Sequence, residues 1–255
     1  MSGEPCWPGR FARQVALVTG AANGIGEGCA RRLAAEGAWI AVIDRDPAIA
    51  DRFADLPGDA CLAMEGDCTD EATLTAFVAA AEAKLGPPGI LVNNVGQSAR
   101  ERGGPFVESS EAVWRFVLEV SLVSTLRLSR LVAPGMKRRG AGRIINMTSD
   151  AALVGDTGLV DYATAKMGLI GFTRALGREL APHGVTVNAV APGAVRTKAQ
   201  ASVSPEVTER VRAATPVGFI AEPADVAGLV AYLASAEARF VTGQTLLIDG
   251  GRWMI

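Results

Sequence analysis

Short apolar runs alternate with longer amphipathic segments along almost the whole 255-residue chain. Seven runs read as strands, at Val15–Thr19, Trp39–Asp44, Ala60–Glu65, Ile90–Asn93, Arg143–Thr148, Thr186–Ala191 and Thr245–Ile248. The segments between them predict helices at Ile25–Glu36, Glu71–Leu85, Glu111–Arg138, Tyr162–Leu180 and Pro223–Leu233, with a weaker one at Pro47–Ala54. Apolar strands separated by helices are typical of a parallel sheet covered on both faces. We therefore predict an α/β fold, a doubly wound parallel sheet of about seven strands.

Two polar stretches interrupt this alternation, and nothing in the chain resembles a linker between domains. Gln97–Ser110 follows the fourth predicted strand, and Ala194–Ala221 follows the sixth. Because open α/β sheets bind ligands at the carboxyl ends of their strands, both stretches are expected to border a substrate pocket. We expect one domain over residues 1–255, with 194–221 as the substrate loop.

Composition excludes several other classes of protein. The formal net charge of −2 and the absence of a basic cluster argue against nucleic-acid binding. Since 49% of the residues are hydrophobic, the chain can fill a core, and disorder is not expected. No apolar run approaches the about 20 residues of a membrane span. The segment Met1–Arg13 carries Glu4, Pro5, Pro8 and Gly9 where a secretory signal would need an unbroken apolar core, so we expect a cytoplasmic protein.

The cysteines do not form a metal-binding pattern. Cys6, Cys29, Cys61 and Cys68 include no Cys-x-x-Cys pair, and His183 is the one histidine in the chain. We therefore expect free thiols and no metal site.

A glycine-rich turn follows the first predicted strand. The segment Thr19-Gly20-Ala21-Ala22-Asn23-Gly24-Ile25-Gly26 runs directly into the first helix. Glycines at such a turn let the backbone approach a pyrophosphate, which lies at the positive end of the helix dipole. This context predicts a Rossmann-type dinucleotide site with Gly20, Asn23, Gly24, Ile25 and Gly26 at the phosphates.

The second predicted strand ends in Asp44, which favours NAD over NADP. A carboxylate there can accept hydrogen bonds from the adenosine ribose and repels a 2′-phosphate. The adjacent Arg45 argues the other way, since a guanidinium can pair with that phosphate. Further cofactor contacts are expected after the next two strands, from Asp67 with Cys68 and from Asn94 with Gly96. Asp67 at the end of the third strand could equally cap the helix that starts near Glu71.

Tyr162 and Lys166 lie four residues apart on a predicted helix and therefore share one face. A free phenol has a pKa of about 10, and a nearby ammonium lowers that value, which suits a general acid/base at neutral pH. Ser149 ends the fifth predicted strand, close enough for its hydroxyl to bind the same substrate oxygen. By itself such a pair would usually be a solvated helix face, and the nucleotide turn upstream changes that interpretation.

Taken together, these motifs resemble the short-chain dehydrogenases/reductases over about residues 14–251. The similarity includes the glycine turn, Asn93-Asn94-Val95-Gly96, Ser149, Tyr162-x3-Lys166, Asn188-x3-Pro192-Gly193-x3-Thr197, and Thr242-Gly243-Gln244 to Asp249-Gly250-Gly251. The resemblance implies that Tyr162 is the general acid/base, that Lys166 binds the nicotinamide ribose and that Ser149 orients the substrate. It also implies nicotinamide contacts from Thr197 and the backbone near Val195, at the turn formed by Pro192 and Gly193.

Two positions depart from the usual family pattern. Ser121 stands where members usually have an asparagine that helps to hold a water for a proton relay, so we expect an altered relay with Ser121 as a catalytic residue. Val95 replaces the alanine of the usual Asn-Asn-Ala-Gly. Both changes resemble dihydrodiol dehydrogenases of aromatic catabolism.

Three functions remain open at this point. The main prediction is an NAD-dependent oxidoreductase that interconverts a secondary alcohol, such as a cis-dihydrodiol, and the ketone. One alternative is an NADP-linked reductase of 3-oxoacyl thioesters, and another is a nucleotide-binding sensor without catalysis, motivated by Ser121. The resemblance further implies a homotetramer formed through the fourth and fifth helices, which are the predicted helices Glu111–Arg138 and Tyr162–Leu180, with Trp253 and Ile255 at a second interface.

Overall fold

A computed structural model describes residues 7–98, 104–198 and 204–254 of the chain. Its seven strands form one parallel sheet over these residues, in the order β3-β2-β1-β4-β5-β6-β7. The strands are β1 Val15–Thr19, β2 Trp39–Asp44, β3 Cys61–Glu65, β4 Pro88–Asn93, β5 Gly142–Met147, β6 Val185–Pro192 and β7 Thr245–Ile248. The predicted α/β, doubly wound parallel sheet is confirmed, with strand ends displaced by at most two residues.

Nine α-helices lie in the described part of the chain. They are α1 Gly24–Ala35, α2 Ile49–Arg52, α3 Glu71–Leu85, α4 Glu111–Leu118, α5 Ser124–Arg139, α6 Ala151–Val154, α7 Val160–Leu180, α8 Pro205–Ala213 and α9 Pro223–Ala234. The described helices include none with the length and apolar character of a membrane span.

Two apolar clusters cover the two faces of the sheet. One is formed by the inward side chains of α1 and α9 with alternate residues of β1 and β2. The other packs α3, α5 and the end of α7 against the opposite face. Each residue of β1 is buried, which explains the unbroken apolar run of that strand.

The predicted helix Glu111–Arg138 is not continuous. A π-helical segment at Glu119–Val123 separates α4 from α5 and contains the buried Ser121. An amphipathic pattern cannot show a local change from i+4 to i+5 hydrogen bonding, so the sequence predicted one helix. Such segments are frequent at functional sites.

A buried polar network joins the sheet to α5 and α7. The Asn93 Nδ2 donates to Asn146 Oδ1 at 2.8 Å and to Ser129 Oγ at 3.0 Å, and Asn146 Nδ2 donates to Thr173 Oγ1 at 2.9 Å. Because the side-chain amide nitrogens of Asn93 and Asn146 are both hydrogen-bonded, the network fixes helix positions without an unsatisfied buried amide nitrogen at either residue. It sets α7, which carries Tyr162 and Lys166, against β5.

The regions predicted to border a substrate are only partly described. Residues 99–103 of Gln97–Ser110 and residues 199–203 of Ala194–Ala221 lie outside the described residues. The second region was predicted as a loop, but it contains α8, whose N-cap residue is Ser204. His183 lies partly exposed in the turn between α7 and β6.

Candidate active site

The predicted site residues collect at the carboxyl edge of the sheet. Strand β1 pairs with β2 on one side and with β4 on the other. The first three strands are therefore added in one direction from β1 and the last four in the other, so the strand order reverses between β1 and β4. Open α/β sheets bind ligands at such a reversal. The glycine turn, Asp44, Asn94, Ser149 and Pro192 all follow or end strands at this edge.

The glycine turn needs glycine for steric reasons. A Cβ on Gly26 would lie 2.1 Å from the carbonyl oxygen of Gly20, and a Cβ on Gly24 would lie 2.9 Å from Thr197 Cγ2. Gly20 and Gly24 have φ of +64° and +59°, which strain other residues. Helix α1 begins at Gly24, so its free amides face the edge.

Asn23 and Ile25 occupy different surroundings within this turn. Asn23 is the N-cap residue of α1, and its side chain makes no capping hydrogen bond to the helix. Ile25 packs against the apolar cluster beneath the turn, so it can face a phosphate through its backbone amide.

Hydrogen bonds between β1 and β4 hold the turn in place. Asn94 Nδ2 donates to the carbonyl oxygens of Thr19 and Gly20, each at 3.0 Å. In return, Thr19 Oγ1 accepts from the amides of Asn94 and Val95 at 3.0 and 3.1 Å. Asn94 therefore fixes the shape of the turn as well as lying beside it.

The Asp44 carboxylate is fixed beside the turn by two backbone amides. Oδ2 accepts from the amide of Ala22 at 2.9 Å, and Oδ1 accepts from that of Asp46 at 3.0 Å. Each oxygen keeps a lone pair for a ribose hydroxyl. Arg45 is exposed, and its Nη2 is 3.5 Å from Gln97 Oε1.

Asp67 does not cap α3, so that alternative was wrong. The cap is Asp70, whose carboxylate accepts from the amides of Ala72 and Thr73, whereas Asp67 accepts from Thr69 at 2.8 Å. Cys68 is buried, and burial together with the charges of Asp44 and Asp67 raises the pKa of its thiol to about 12. Its thiol is therefore neutral and unreactive.

Lys166 is the most deeply buried charged group of the site. Its side chain is 2% exposed, and Nζ donates to the carbonyl oxygen of Met147 at 2.8 Å. Nζ lies 5.6 Å from the centre of the Tyr162 ring, as the spacing on one helix face predicted. Desolvation lowers the pKa of Lys166 from 10.5 to about 8.

Gly96 leaves room for this ammonium. A Cβ at Gly96 would lie 2.7 Å from Lys166 Nζ and 3.5 Å from Ser121 Oγ, so both groups converge on one point. The Ser121 hydroxyl accepts from the backbone amide of Gln97 at 3.0 Å and donates to the backbone carbonyl oxygen of Gln97 at 3.1 Å. Its proton is thus used to hold residue 97, and one lone pair is left for a relay.

Ser149 lies two residues beyond β5 and not at its end as predicted. The backbone amide of the next residue, Asp150, donates to the carbonyl oxygen of Pro192 at 3.0 Å, which holds this segment beside the end of β6. The Ser149 hydroxyl donates to Asp150 Oδ1 at 3.2 Å. Sequence reasoning missed Asp150, whose place directly after Ser149 was the available signal.

The turn after β6 closes the edge on the side opposite Asp44. A Cβ at Gly193 would lie 2.9 Å from Asp249 Cβ, and the buried Val195 pairs with Ala221. Thr197 lies against Gly24, so this turn reaches back to the glycine turn. The structure thereby brings Pro192, Gly193, Val195 and Thr197 to the same edge as Lys166.

Comparisons with known proteins agree with this geometry. Residues 20–252 match the family model described as Enoyl-(Acyl carrier protein) reductase. The chain is 38% identical over 242 residues to the 3-oxoacyl-[acyl-carrier-protein] reductase FabG of Vibrio cholerae, covering 95% of this chain and 98% of that one. It is 40% identical to nodulation protein G of a Rhizobium species, over 94% of this chain and 97% of that one.

The chain belongs to the short-chain dehydrogenase/reductase family. Among solved structures, a 3-oxoacyl-[acyl-carrier protein] reductase from Brucella melitensis superposes with a TM-score of 0.91 at 32% identity, over 97% of this chain and 94% of that one. A putative gluconate dehydrogenase from Agrobacterium tumefaciens gives a TM-score of 0.90 at 30% identity, over 96% and 98%. As a member of this family the protein is an oxidoreductase that acts on CH–OH groups and uses a nicotinamide cofactor.

The burial of Lys166 predicts a stability that depends on pH. The folded protein holds the Lys166 proton less tightly than the unfolded chain, so between pH 8 and 10.5 the unfolded chain binds more protons. The free energy of unfolding therefore rises with pH through that window, and the cost of the buried ammonium is fully present below pH 8.

Replacement of Lys166 by Met removes this contribution. In urea unfolding without cofactor, the free energy of unfolding of Lys166→Met, minus that of the wild type, should decrease as pH rises from 8 to 10.5. The lost hydrogen bond to Met147 shifts the difference by a constant and leaves its slope intact. A difference that stays level across the window would show that Lys166 is not a desolvated ammonium.

Proposed function

We propose that the protein interconverts 3-hydroxyacyl and 3-oxoacyl thioesters, with NAD as the cofactor. The observation that carries the chemistry is the buried ammonium of Lys166 beside the Tyr162 ring. For the substrate, the relatives favour the alternative considered from the sequence, since the proteins from Vibrio cholerae and Brucella melitensis are named 3-oxoacyl-[acyl-carrier-protein] reductases. They lend no support to the cis-dihydrodiol.

The residues of this chain would transfer a proton to and from the substrate oxygen and would hold that oxygen in position. The cofactor supplies hydride acceptance and donation. In the oxidative direction Tyr162 accepts the proton of the substrate hydroxyl, and the Lys166 ammonium stabilises the phenolate that this requires. Ser149 holds the same substrate oxygen. In the reductive direction Tyr162 returns the proton to that oxygen.

Apolar side chains on the two bordering regions suit an acyl chain. Phe106 and Val107 follow β4, and Val217 and Phe219 follow β6, and each of the four is at least half exposed. Exposed large apolar side chains that lie beside a site mark a surface for an apolar ligand. We infer that these residues contact the acyl portion of the thioester.

The preference for NAD rests on Asp44. Its charge is fixed by the amides of Ala22 and Asp46 at the end of β2, where the adenosine ribose of a dinucleotide lies in this kind of fold. A 2′-phosphate would meet this carboxylate, whereas Arg45 extends toward Gln97 on the exposed side.

A substrate panel tests the reaction. Acetoacetyl-coenzyme A with NADH should be reduced faster than ketones without a thioester, and 3-hydroxybutyryl-coenzyme A with NAD should be oxidised faster than a cis-dihydrodiol. The Tyr162→Phe variant should lose about 10²- to 10⁴-fold in turnover and keep its affinity for NADH, because the ring remains and the proton donor is lost.

Each other outcome has a distinct meaning. A faster reaction with the cis-dihydrodiol would support the first prediction, that the substrate is a cis-dihydrodiol, over the thioester. NADH binding in a calorimeter without turnover of any alcohol or ketone would favour the sensor, and unchanged turnover in Tyr162→Phe would remove the proposed acid/base.

Replacement of Asp44 tests the cofactor. The Asp44→Asn variant keeps an oxygen that can accept from the Ala22 amide and removes the charge, so kcat/KM for NADP relative to NAD should rise at least about tenfold. Asp46→Asn is the matched control, because it removes a neighbouring charge. A wild-type preference for NADP, or an equal effect of both variants, would contradict the role of Asp44.

We also infer a homotetramer in the cytoplasm. Leu126 on α5 and Val160 and Met167 on α7 are exposed apolar residues on the helices expected to meet a partner subunit, and Trp253 is 37% exposed. Ile255 lies outside the described residues. Cys29, Cys61 and Cys68 are free thiols, as is usual in a reducing compartment. A monomer in light scattering would contradict the assembly.

A further inference from the structure

Asp150 is a buried carboxylate next to the active site that the proposed reaction does not yet use. It is 6% exposed, and its backbone is fixed at both ends. Its amide donates to Pro192, and its carbonyl oxygen accepts from the amides of Leu153 and Val154 in α6 at 2.8 and 3.1 Å. The side chain is therefore held at the edge of the sheet beside Ser149.

The hydrogen bonds of Ser149 have a direction. The hydroxyl donates its one proton to Asp150 Oδ1 at 3.2 Å, and its oxygen accepts from the amide of Ala151 at 3.3 Å. A serine hydroxyl has one proton and two lone pairs. As long as the proton points to Asp150, Ser149 has a lone pair to offer a substrate and no donor.

Arg252 supplies the charge that accompanies this carboxylate. Its Nη1 is 3.6 Å from Asp150 Oδ2, and its guanidinium lies 5.2 Å from the centre of the Trp253 ring. Asp249 shapes this C-terminal turn by accepting from the amides of Gly251 and Trp253 at 3.0 and 2.7 Å. The C-terminal segment is thus folded back so that one cation faces Asp150.

The two oxidation states of a substrate need opposite partners at Ser149. An alcohol donates its hydroxyl proton and needs an acceptor, whereas a ketone oxygen accepts and needs a donor. We propose that Asp150 is a positioning residue that turns the Ser149 proton away from the substrate, so that Ser149 presents a lone pair to an alcohol. Loss of the negative charge of Asp150 frees the same proton for a ketone.

The orientation of the Ser149 proton depends on whether Asp150 is ionised, and the charges around Asp150 shift the pH at which it ionises. Burial raises the pKa of the Asp150 carboxyl above its ordinary value, and the hydrogen bond from Ser149 and the charge of Arg252 oppose that rise. Asp156 acts in the same direction as burial, as a like charge. The Asp249 carboxylate accepts from the backbone amides of Gly251 and Trp253, and Lys166 Nζ donates to the carbonyl oxygen of Met147. Arg252 and Asp156 are therefore the two groups whose removal moves the ionisation of Asp150 in opposite directions.

The Asp150→Asn variant tests the orientation, and the test rests on the proposed function for its probes. The neutral amide accepts a weaker hydrogen bond, so the Ser149 proton becomes available. KM for 3-hydroxybutyryl-coenzyme A should rise about 3- to 10-fold, and KM for acetoacetyl-coenzyme A should fall by a similar factor. Because the equilibrium constant fixes the ratio of kcat/KM between the two directions, the ratio of the two kcat values should change by the same factor as the ratio of the two KM values.

Two further variants test the same idea through pH and do not depend on the folding of Asp150→Asn. In the wild type, KM for acetoacetyl-coenzyme A should rise as Asp150 ionises. Arg252→Gln should move the midpoint of that rise to higher pH, and Asp156→Asn should move it to lower pH. A merely structural effect of the two substitutions would not shift the midpoint in opposite directions.

The outcomes separate this inference from the function on which it rests. If the wild type turns over neither thioester, the proposed function is overturned, and the inference with it. If the wild type is active, either of two results leaves the function standing and overturns the role of Asp150. In one, Asp150→Asn changes both KM values in the same direction; in the other, Arg252→Gln and Asp156→Asn show the same pH midpoint for the rise in KM.

Discussion

The active site depends on one buried ammonium. Lys166 is enclosed between β5 and the turn at Gly96, and its hydrogen bond to the Met147 carbonyl is the main compensation for its desolvation among the contacts described. Several other features keep that position fixed. The Thr148 hydroxyl donates to the Lys166 carbonyl at 2.8 Å, and the Asn93, Asn146 and Thr173 network holds α7 on the sheet. A charge held this firmly can stabilise a phenolate without rearrangement of the protein.

The sequence predicted those parts of the fold that local chemistry determines. Strands such as β1 are recognisable because both faces of a parallel sheet are buried, and the glycine turn because Gly26 and Gly20 approach too closely for any side chain. The pairing of Tyr162 with Lys166 follows from helix geometry alone. Features that depend on contacts between distant parts of the chain were missed, because local chemistry does not determine them. The π-helical segment around Ser121 and the partnership of Asp150 with Arg252 leave no periodic signal in the chain. The cap at Asp70 is a local contact with Ala72 and Thr73, and it was missed because Asp67 was considered in its place.

Substrate and cofactor choice have different physical origins in this protein. The cofactor preference is attributed to one fixed charge at the end of β2, which a motif can reveal. The proposed substrate contacts come from exposed side chains such as Phe106 and Phe219, whose positions depend on how the segments that carry them pack. The similarity to 3-oxoacyl-[acyl-carrier-protein] reductases therefore carries the substrate assignment, and the geometry carries the chemistry.

The chain has two tyrosines, Tyr162 and Tyr232, which allows a direct test of the role given to Lys166. In a Tyr232→Phe background, the near-ultraviolet absorbance of the phenolate follows the ionisation of Tyr162 alone. With NAD bound, Tyr162 should ionise at lower pH than in the same protein carrying Lys166→Met. Equal midpoints in the two proteins would contradict the account, because the buried ammonium would then have no effect on the group that exchanges the proton.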